Sequence, residues 1–275
     1  MTGADALAAA ADLGLARLDA QLLLLHALGR APQERAWLLA HDTDLLPDAA
    51  RREFMRLCER RATGEPLAYI TGRKDFFGLD LKVDSRVLVP RPETETLVEW
   101  ALEILRDRPR PRVIDLGTGS GAIALALKRE RPDAQVMATD SSAGALAVAA
   151  ANAHELGVDI GFRQASWLAG IDQRCDLIVS NPPYIAAQDE HLAALAHEPL
   201  GALAAGPDGL DDLRTIIGQA PDRLVAGGWL LLEHGYDQAD ATRALLAGAG
   251  FREIGSRPDL AGIPRCSGGQ WLELG

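Results

Sequence analysis

Apolar positions recur at helical spacing through the first sixty residues. Residues 1–62 are rich in alanine and leucine, and Leu18, Leu22 and Leu25 fall on one helical stripe. Gly14, Gly29 to Pro32 and Asp42 to Pro47 interrupt the pattern, which predicts about four short helices. Between Gly64 and Pro92 the character turns to glycine, proline and β-formers, and Phe76 to Val83 alternates well enough for a hairpin strand. From Arg112 onward, short apolar runs alternate with helical segments, the pattern of an α/β unit whose parallel sheet carries helices on both faces. Strands are expected at Val113–Leu116, Gln135–Thr139, Ile160–Gln164, Asp176–Ser180 and Trp229–Glu233. Helices fit at Ala122–Glu130, Ala143–Leu156, Leu210–Leu224 and Gln238–Ala249. Phe251–Gly255 and Gln270–Leu274 supply two more strands in a hairpin-like arrangement. The expected division is a helical domain at 1–72, a β-hairpin connector at 73–92 and a larger α/β domain at 93–275.

Composition narrows the class. The chain has 275 residues, 48% of them hydrophobic, enough for a sizeable core and more than one typical domain. Its longest aliphatic run near the start, Leu22 to Leu25, falls far short of the ~20 residues of a membrane span. With no basic start and apolar core of a leader, the expected location is the cytoplasm. Cys58, Cys175 and Cys266 form no Cys-x-x-Cys pair, so neither a metal site nor a disulfide framework is expected. A net charge of −11 disfavours holding nucleic acid through its phosphates, although Arg51, Arg52, Arg56, Arg60 and Arg61 form a local basic stretch. A basic protein partner is easier to accommodate.

The first chemical feature is Asp115-Leu116-Gly117-Thr118-Gly119-Ser120-Gly121, where the first strand of the α/β unit turns into its helix. Glycines there let a backbone approach a ligand closely. Through Ala122 the stretch also fits the dinucleotide pattern, so the loop alone is ambiguous. Asp140 ends the next strand about 20 residues on, where a carboxylate reaches both ribose hydroxyls of an adenosine. Asp115 separates the cofactor classes: a carboxylate before the first glycine suits the ammonium of a methionyl group and repels a pyrophosphate. The plainer alternative makes Asp115 and Asp140 caps of turns or helices.

Asn181-Pro182-Pro183-Tyr184 follows the fourth strand, at the carboxyl edge where open α/β sheets bind ligands. Two prolines fix φ and remove backbone N–H groups, leaving carbonyls that need outside donors. The tetrapeptide resembles the signature of amino-methyltransferases acting on planar nitrogens, either base amines or glutamine amides. A planar amide nitrogen is a poor nucleophile, so such a site has to accept both of its hydrogens and aim the remaining density at the methyl group. The expected roles are acceptance by the Asn181 side-chain oxygen and the Pro182 carbonyl, with Pro183 and Tyr184 also holding the substrate and Tyr184 walling the amide. Asn181 would border the cofactor as well. No strong general base is needed.

Further stretches narrow the resemblance. Gly64 to Gly72, Val87 to Glu95, Asp115 to Leu127, Asn181 to Ile185, Glu198-Pro199, Gly206 to Leu210 and Glu233-His234-Gly235 resemble the release factor glutamine methyltransferase family, also called HemK or PrmC. The resemblance covers Gly64 to about Arg265 by motif and the N-terminal helices by length and character. It implies a Rossmann-like class I methyltransferase sheet and a small helical domain that engages a class I peptide chain release factor. S-adenosyl-L-methionine would be the cofactor and N5-methylglutamine in a Gly-Gly-Gln motif the product. Carried over by motif, Gly117, Thr118, Gly119, Ser120 and Gly121 form the cofactor loop, Asp140 is the ribose acid, and Trp167 lies at the adenine end. A sister family acting on a ribosomal protein has a different loop upstream. Adenine-directed DNA methyltransferases and a non-catalytic release factor-binding adaptor are the remaining alternatives.

Several residues have a plainer reading. Arg91, Glu93 and Glu95 either line the site or favour a helix start, and Trp167 could be a core aromatic. Glu233 and His234 are expected to be structural. Gly268-Gly269-Gln270 copies the Gly-Gly-Gln substrate motif but is expected to be a glycine hairpin turn.

Overall fold

Helical spacing in the N-terminal segment is realised as α1 (Gly3–Asp12), α2 (Arg17–Ala27), α3 (Arg35–Ala40), α4 (Asp48–Ala62) and a short α5 (Leu67–Thr71). The computed structural model describes residues 1–272. Contacts divide the chain into two units, Met1–Arg73 and Lys74 onward. In the first, Thr2 and Asp5 cap α1 reciprocally, side chain to backbone N–H in both directions. Its core gathers Leu23, Leu24, Leu25, Phe54 and Leu57. The stripe expected on α2 is only partly the buried one: Leu25 is fully buried, but Leu22 is half-buried and Leu18 is 48% exposed, whereas Ala20, Leu23 and Leu24 face inward. Four consecutive leucines leave the inward face undetermined by periodicity, and packing against α4 decides it. α5 was not foreseen; Pro66 opens it and Gly72, at φ 72°, ends it.

A hairpin follows, β1 (Arg73–Phe76) and β2 (Leu79–Lys82), which apart from Arg73 belongs to the second unit. Phe77 and Gly78, both at positive φ, make its two-residue turn inside the stretch expected to be continuous strand. A 3₁₀ turn at Pro92–Thr94 leads into α6 (Glu95–Leu105). Then follow β3 (Arg112–Leu116), α7 (Ala122–Glu130), β4 (Gln135–Asp140), α8 (Ala143–Leu156), β5 (Gly161–Gln164) and β6 (Cys175–Ser180). After α9 (Asp211–Gln219) come β7 (Leu224–Glu233), α10 (Ala239–Gly248), β8 (Arg252–Pro258) and β9 (Pro264–Trp271). The helix expected to reach Leu224 stops at Gln219 and tightens into a 3₁₀ turn, because Pro221 offers no N–H. β7 therefore starts five residues before the expected Trp229.

These strands form one seven-stranded sheet, ordered β5-β4-β3-β6-β7-β9-β8. β3 to β7 run parallel, and β9 is antiparallel to both β7 and β8. This is the Rossmann-like sheet with helices on both faces. Alternate residues of β6 serve opposite cores: Leu177 and Val179 meet Val98, Leu125 and Leu127, while Ile178 lies with Ile216, Leu246 and Phe251. The order reverses at β3, which pairs β4 on one side and β6 on the other. Such a switch point opens a crevice at the carboxyl ends of the two strands.

The C-terminal strands correct one expectation. Gly268-Gly269-Gln270 is no turn: it lies inside β9, whose residues pair with β7 and β8 simultaneously. A Cβ on Gly268 would collide with the Leu231 side chain and come within 2.7 Å of the Leu230 carbonyl oxygen, so glycine is there for closeness. The hairpin turn spans Asp259 to Ile263 instead. Of the expected Gln270–Leu274 strand, Gln270 and Trp271 belong to β9, and Glu273 and Leu274 lie outside the described residues.

Candidate active site

The switch point brings the glycine loop and the proline turn side by side. Leu116 and Ser180, the last residues of β3 and β6, are register partners, and the Ser180 hydroxyl donates to the Leu116 carbonyl at 2.8 Å. Gly117, Gly119 and Gly121 all adopt positive φ, which curls the loop at little steric cost before α7 begins. Asn152 of α8 holds the loop from behind, its amide donating to Ser120 O at 2.9 Å and to Lys82 O at 3.0 Å.

A cavity of ≈ 390 Å³ lies over these strand ends, in the size range of small-molecule sites. Gly117, Thr118, Gly119, Ser120, Asp140, Trp167, Asn181 and Pro183 all line it. Asp140 accepts from the backbone N–H groups of Gly119 at 3.0 Å and Ser142 at 2.9 Å, so it ties the loop to the end of β4. Trp167 takes an unusual φ of 51°, sets its ring against Gly117 and donates Nε1–H to Asp212 at 3.2 Å. Asp212 also lines the cavity. Nothing in its sequence context marked it, since it sits in the first turn of an ordinary amphipathic helix.

Other candidates stand off the lining. Asp115 is wholly buried under the loop, accepting from the Thr118 hydroxyl at 2.6 Å and Ala124 N–H at 3.2 Å. Pro182 is buried, and Tyr184 lies behind the turn with its carbonyl accepting from Gln238 Nε2 at 2.9 Å. Burial pushes the Tyr184 phenol up, so it stays neutral. Arg91 lines the cavity and pairs with the buried Glu198, which also accepts Val89 N–H at 3.0 Å. Glu95 instead accepts Phe77 N–H at 2.8 Å and secures the hairpin turn. Asn181 donates Nδ2–H to the Thr94 hydroxyl at 3.2 Å, while its buried Oδ1 has no partner. An orphaned amide oxygen at a cavity is an acceptor waiting for a donor.

Two family models match the chain: the PrmC N-terminal domain over residues 2–72 and the methyltransferase small domain over 96–201. A release factor glutamine methyltransferase of Bordetella pertussis is 53% identical over 263 residues, covering 94% of this chain and 96% of its own. One from Xylella fastidiosa is 51% identical, covering 96% of this chain and 97% of its own. The chain belongs to the release factor glutamine methyltransferase family. Solved structures agree on the fold. The hMettl16 catalytic domain aligns with a TM-score of 0.60 at 19% identity over 80% of this chain and 82% of its own. A ribosomal protein L11 methylase from Lactobacillus delbrueckii gives 0.50 at 24% identity over 69% and 85%.

In this member of the release factor glutamine methyltransferase family, Asp115 gives a pH-dependent stability. Burial drives its carboxyl up to about 7, Thr118 and Ala124 pull it back, and Asp140 adds to the rise. The unfolded chain releases this proton near 3.8 and the folded protein only near 7. Stability present below about 4 is therefore lost as pH rises towards 7. Asp115→Asn has nothing to ionise, so its melting temperature relative to wild type should climb between pH 4 and 7. Thermal melts of both proteins across that range check this, and a constant difference would refute it.

Proposed function

We propose that this protein transfers a methyl group from S-adenosylmethionine to the N5 amide of the glutamine in the Gly-Gly-Gln motif of class I peptide chain release factors. The observation that carries it is Asn181: it shares one cavity with a glycine loop and a carboxylate at the sheet's switch point, and its enclosed side-chain oxygen is an acceptor without a partner. Nearly full-length likeness to proteins named for that reaction supports it. In this reading residues 1–72 engage the release factor, 73–92 connect and 93–275 carry the chemistry, in the cytoplasm and without direct nucleic-acid binding. No helix among the described residues is long and apolar enough to cross a membrane.

The residues fit the cofactor. The left-handed Gly117 and Gly119 line the cavity and leave room against the backbone, Gly121 instead lets the loop pack against Leu125 and Ala149, Asp140 offers oxygens to ribose hydroxyls, and Trp167 offers an aromatic face to adenine. Asp115, from beneath, shapes the loop that meets the methionyl end. When bound, S-adenosylmethionine supplies an electrophilic methyl group. Asn181 Oδ1 accepts one amide hydrogen of the substrate glutamine and the Pro182 carbonyl the other, so the nitrogen faces the methyl in line. Pro183 and Tyr184 stiffen that wall. Orientation of this kind contributes up to ~7 to 11 kcal/mol in favourable intramolecular models.

The test is mass spectrometry of an unmodified release factor after incubation with enzyme and cofactor. One methyl gained on the Gly-Gly-Gln glutamine, absent when that residue is alanine, is expected; no gain despite cofactor binding would overturn the substrate. A second check reads the cofactor alone. Trp167→Ala should raise its Kd about tenfold by calorimetry, the loss of one stacking contact of about 1.4 kcal/mol, and an unchanged Kd would remove Trp167 from the site.

A further inference from the structure

Trp167 stands where a glycine would be less strained. Its φ of 51° lies in the left-handed region that a bulky side chain rarely adopts. The turn around it is closed by Ala169 N–H on the Ser166 carbonyl at 3.0 Å, and glycine or asparagine takes such a position easily. Strain of this kind persists only where the surroundings hold it. Ala165, Ser166 and Trp167 all line the cavity, and Ala165 N–H donates to the Asp140 carbonyl at 3.0 Å, so the turn begins beside the ribose acid. The ring edge rests against Gly117, where a Cβ would meet Cζ3 at 3.3 Å.

The remaining holds come from one helix. Asp212 accepts the indole Nε1–H at 3.2 Å, and Gln219 Oε1 accepts the Leu168 N–H at 3.1 Å. Lying two helical turns apart on α9, they share a face of it. Leu213, Ile216 and Ile217 of the same helix are buried in the core, so the polar pair is presented from a fixed frame. Asp212 has a plainer reading, since acids favour the first turn of a helix. Its neighbour Asp211 fits that description, being exposed and paired with Arg214 at 3.0 Å. Asp212 is half-buried, lines the cavity and turns to the ring instead.

We infer that Asp212 is a positioning residue for the cofactor: by accepting the indole N–H it fixes the plane of Trp167 at the adenine end of the cavity. The inference rests on the reading of Trp167 given above. An indole has a single donor, so the plane of the ring follows from where that hydrogen is taken. Without the acceptor the ring keeps its stacking pose only part of the time, and the apparent affinity falls by that fraction.

The experiment measures the Kd of S-adenosylmethionine by calorimetry for wild type, Asp212→Asn, Asp212→Ala, Asp212→Leu, Trp167→Ala and the double variant Trp167→Ala/Asp212→Ala, each shown by its thermal melt to be folded. Asp212→Ala and Asp212→Leu remove the acceptor without and with a replacement of its volume. Both should raise Kd roughly three- to fivefold, short of the about tenfold expected when the ring itself is lost. Asp212→Asn still offers an amide oxygen to the indole and should stay within about twofold. In the Trp167→Ala background, Asp212→Ala should add less than about 1.5-fold, because a residue acting through another is not additive with it. A wild-type Kd in Asp212→Leu overturns the inference, and so does an asparagine variant as weak as the leucine one. An undiminished effect of Asp212→Ala in the double variant overturns it too, placing Asp212 on the adenine directly. Should Asp212→Ala fail to fold, Asp212→Leu in the same cycle decides. A wild-type Kd in Trp167→Ala would overturn the underlying reading of Trp167; weakened binding there with unaffected Asp212 variants overturns only this inference.

Discussion

Asn181→Ala is expected to lower kcat for glutamine methylation about 10²- to 10³-fold, the usual loss when one preorganised hydrogen-bonding group leaves a water-excluded site. A glutamine amide has its lone pair delocalised, and the in-line geometry depends on acceptors that hold both hydrogens. Removing Oδ1 leaves one hydrogen without its acceptor and lets the amide plane rotate. The loop, Asp140 and Trp167 remain in place, so the cofactor Kd should change by no more than a few-fold. Single-turnover kinetics with calorimetry on the same preparation separate the two quantities. Full single-turnover rate in the variant would remove Asn181 from the chemistry, and parallel loss of cofactor binding would make it a cofactor ligand first.

Gly268→Ala should be the most damaging single methyl group in the sheet. Its Cβ would collide with the Leu231 side chain, lie 2.7 Å from the Leu230 carbonyl and 3.2 Å from the Trp100 ring. The backbone oxygen cannot step aside without breaking the β7 ladder. A cost of about 3 kcal/mol follows from overpacking, or roughly 6 to 12 °C in Tm for a unit of this size. Gly255 is the control: it is the β8 register partner of Gly268, and a Cβ there meets nothing within 4 Å. Gly255→Ala should stay within about 0.5 kcal/mol. Equal melting temperatures for the two variants would show that β9 is not wedged as described.

Local chemistry decides which parts of the fold were legible in the sequence. α7 and α8 follow the expected limits because Gly121 precedes one, and Ser142 and Gly157 cap the other. β9 escaped because Ser267-Gly268-Gly269 has turn chemistry, and only its two neighbours make it a strand. The site divides the same way. Its glycine loop, Asp140 and Asn181-Pro182-Pro183 stand at strand ends, which periodicity locates. Thr94, Glu198 and Asp212 come from a 3₁₀ turn, a loop and a helix start, and their nearness exists only after folding.

The place of β9 also sets an order of assembly. It is made after β8, yet lies between β8 and β7. While a nascent chain still lacks residues 264–271, β7 presents an open edge and β8 has no strand to join. The helices and β3 to β7 can form as synthesis proceeds, but the sheet closes only when the last strand slides in. Chains that stall within that final stretch would carry a finished cavity beside a raw edge, prone to pair with another chain, and should be cleared by proteolysis faster than the complete protein.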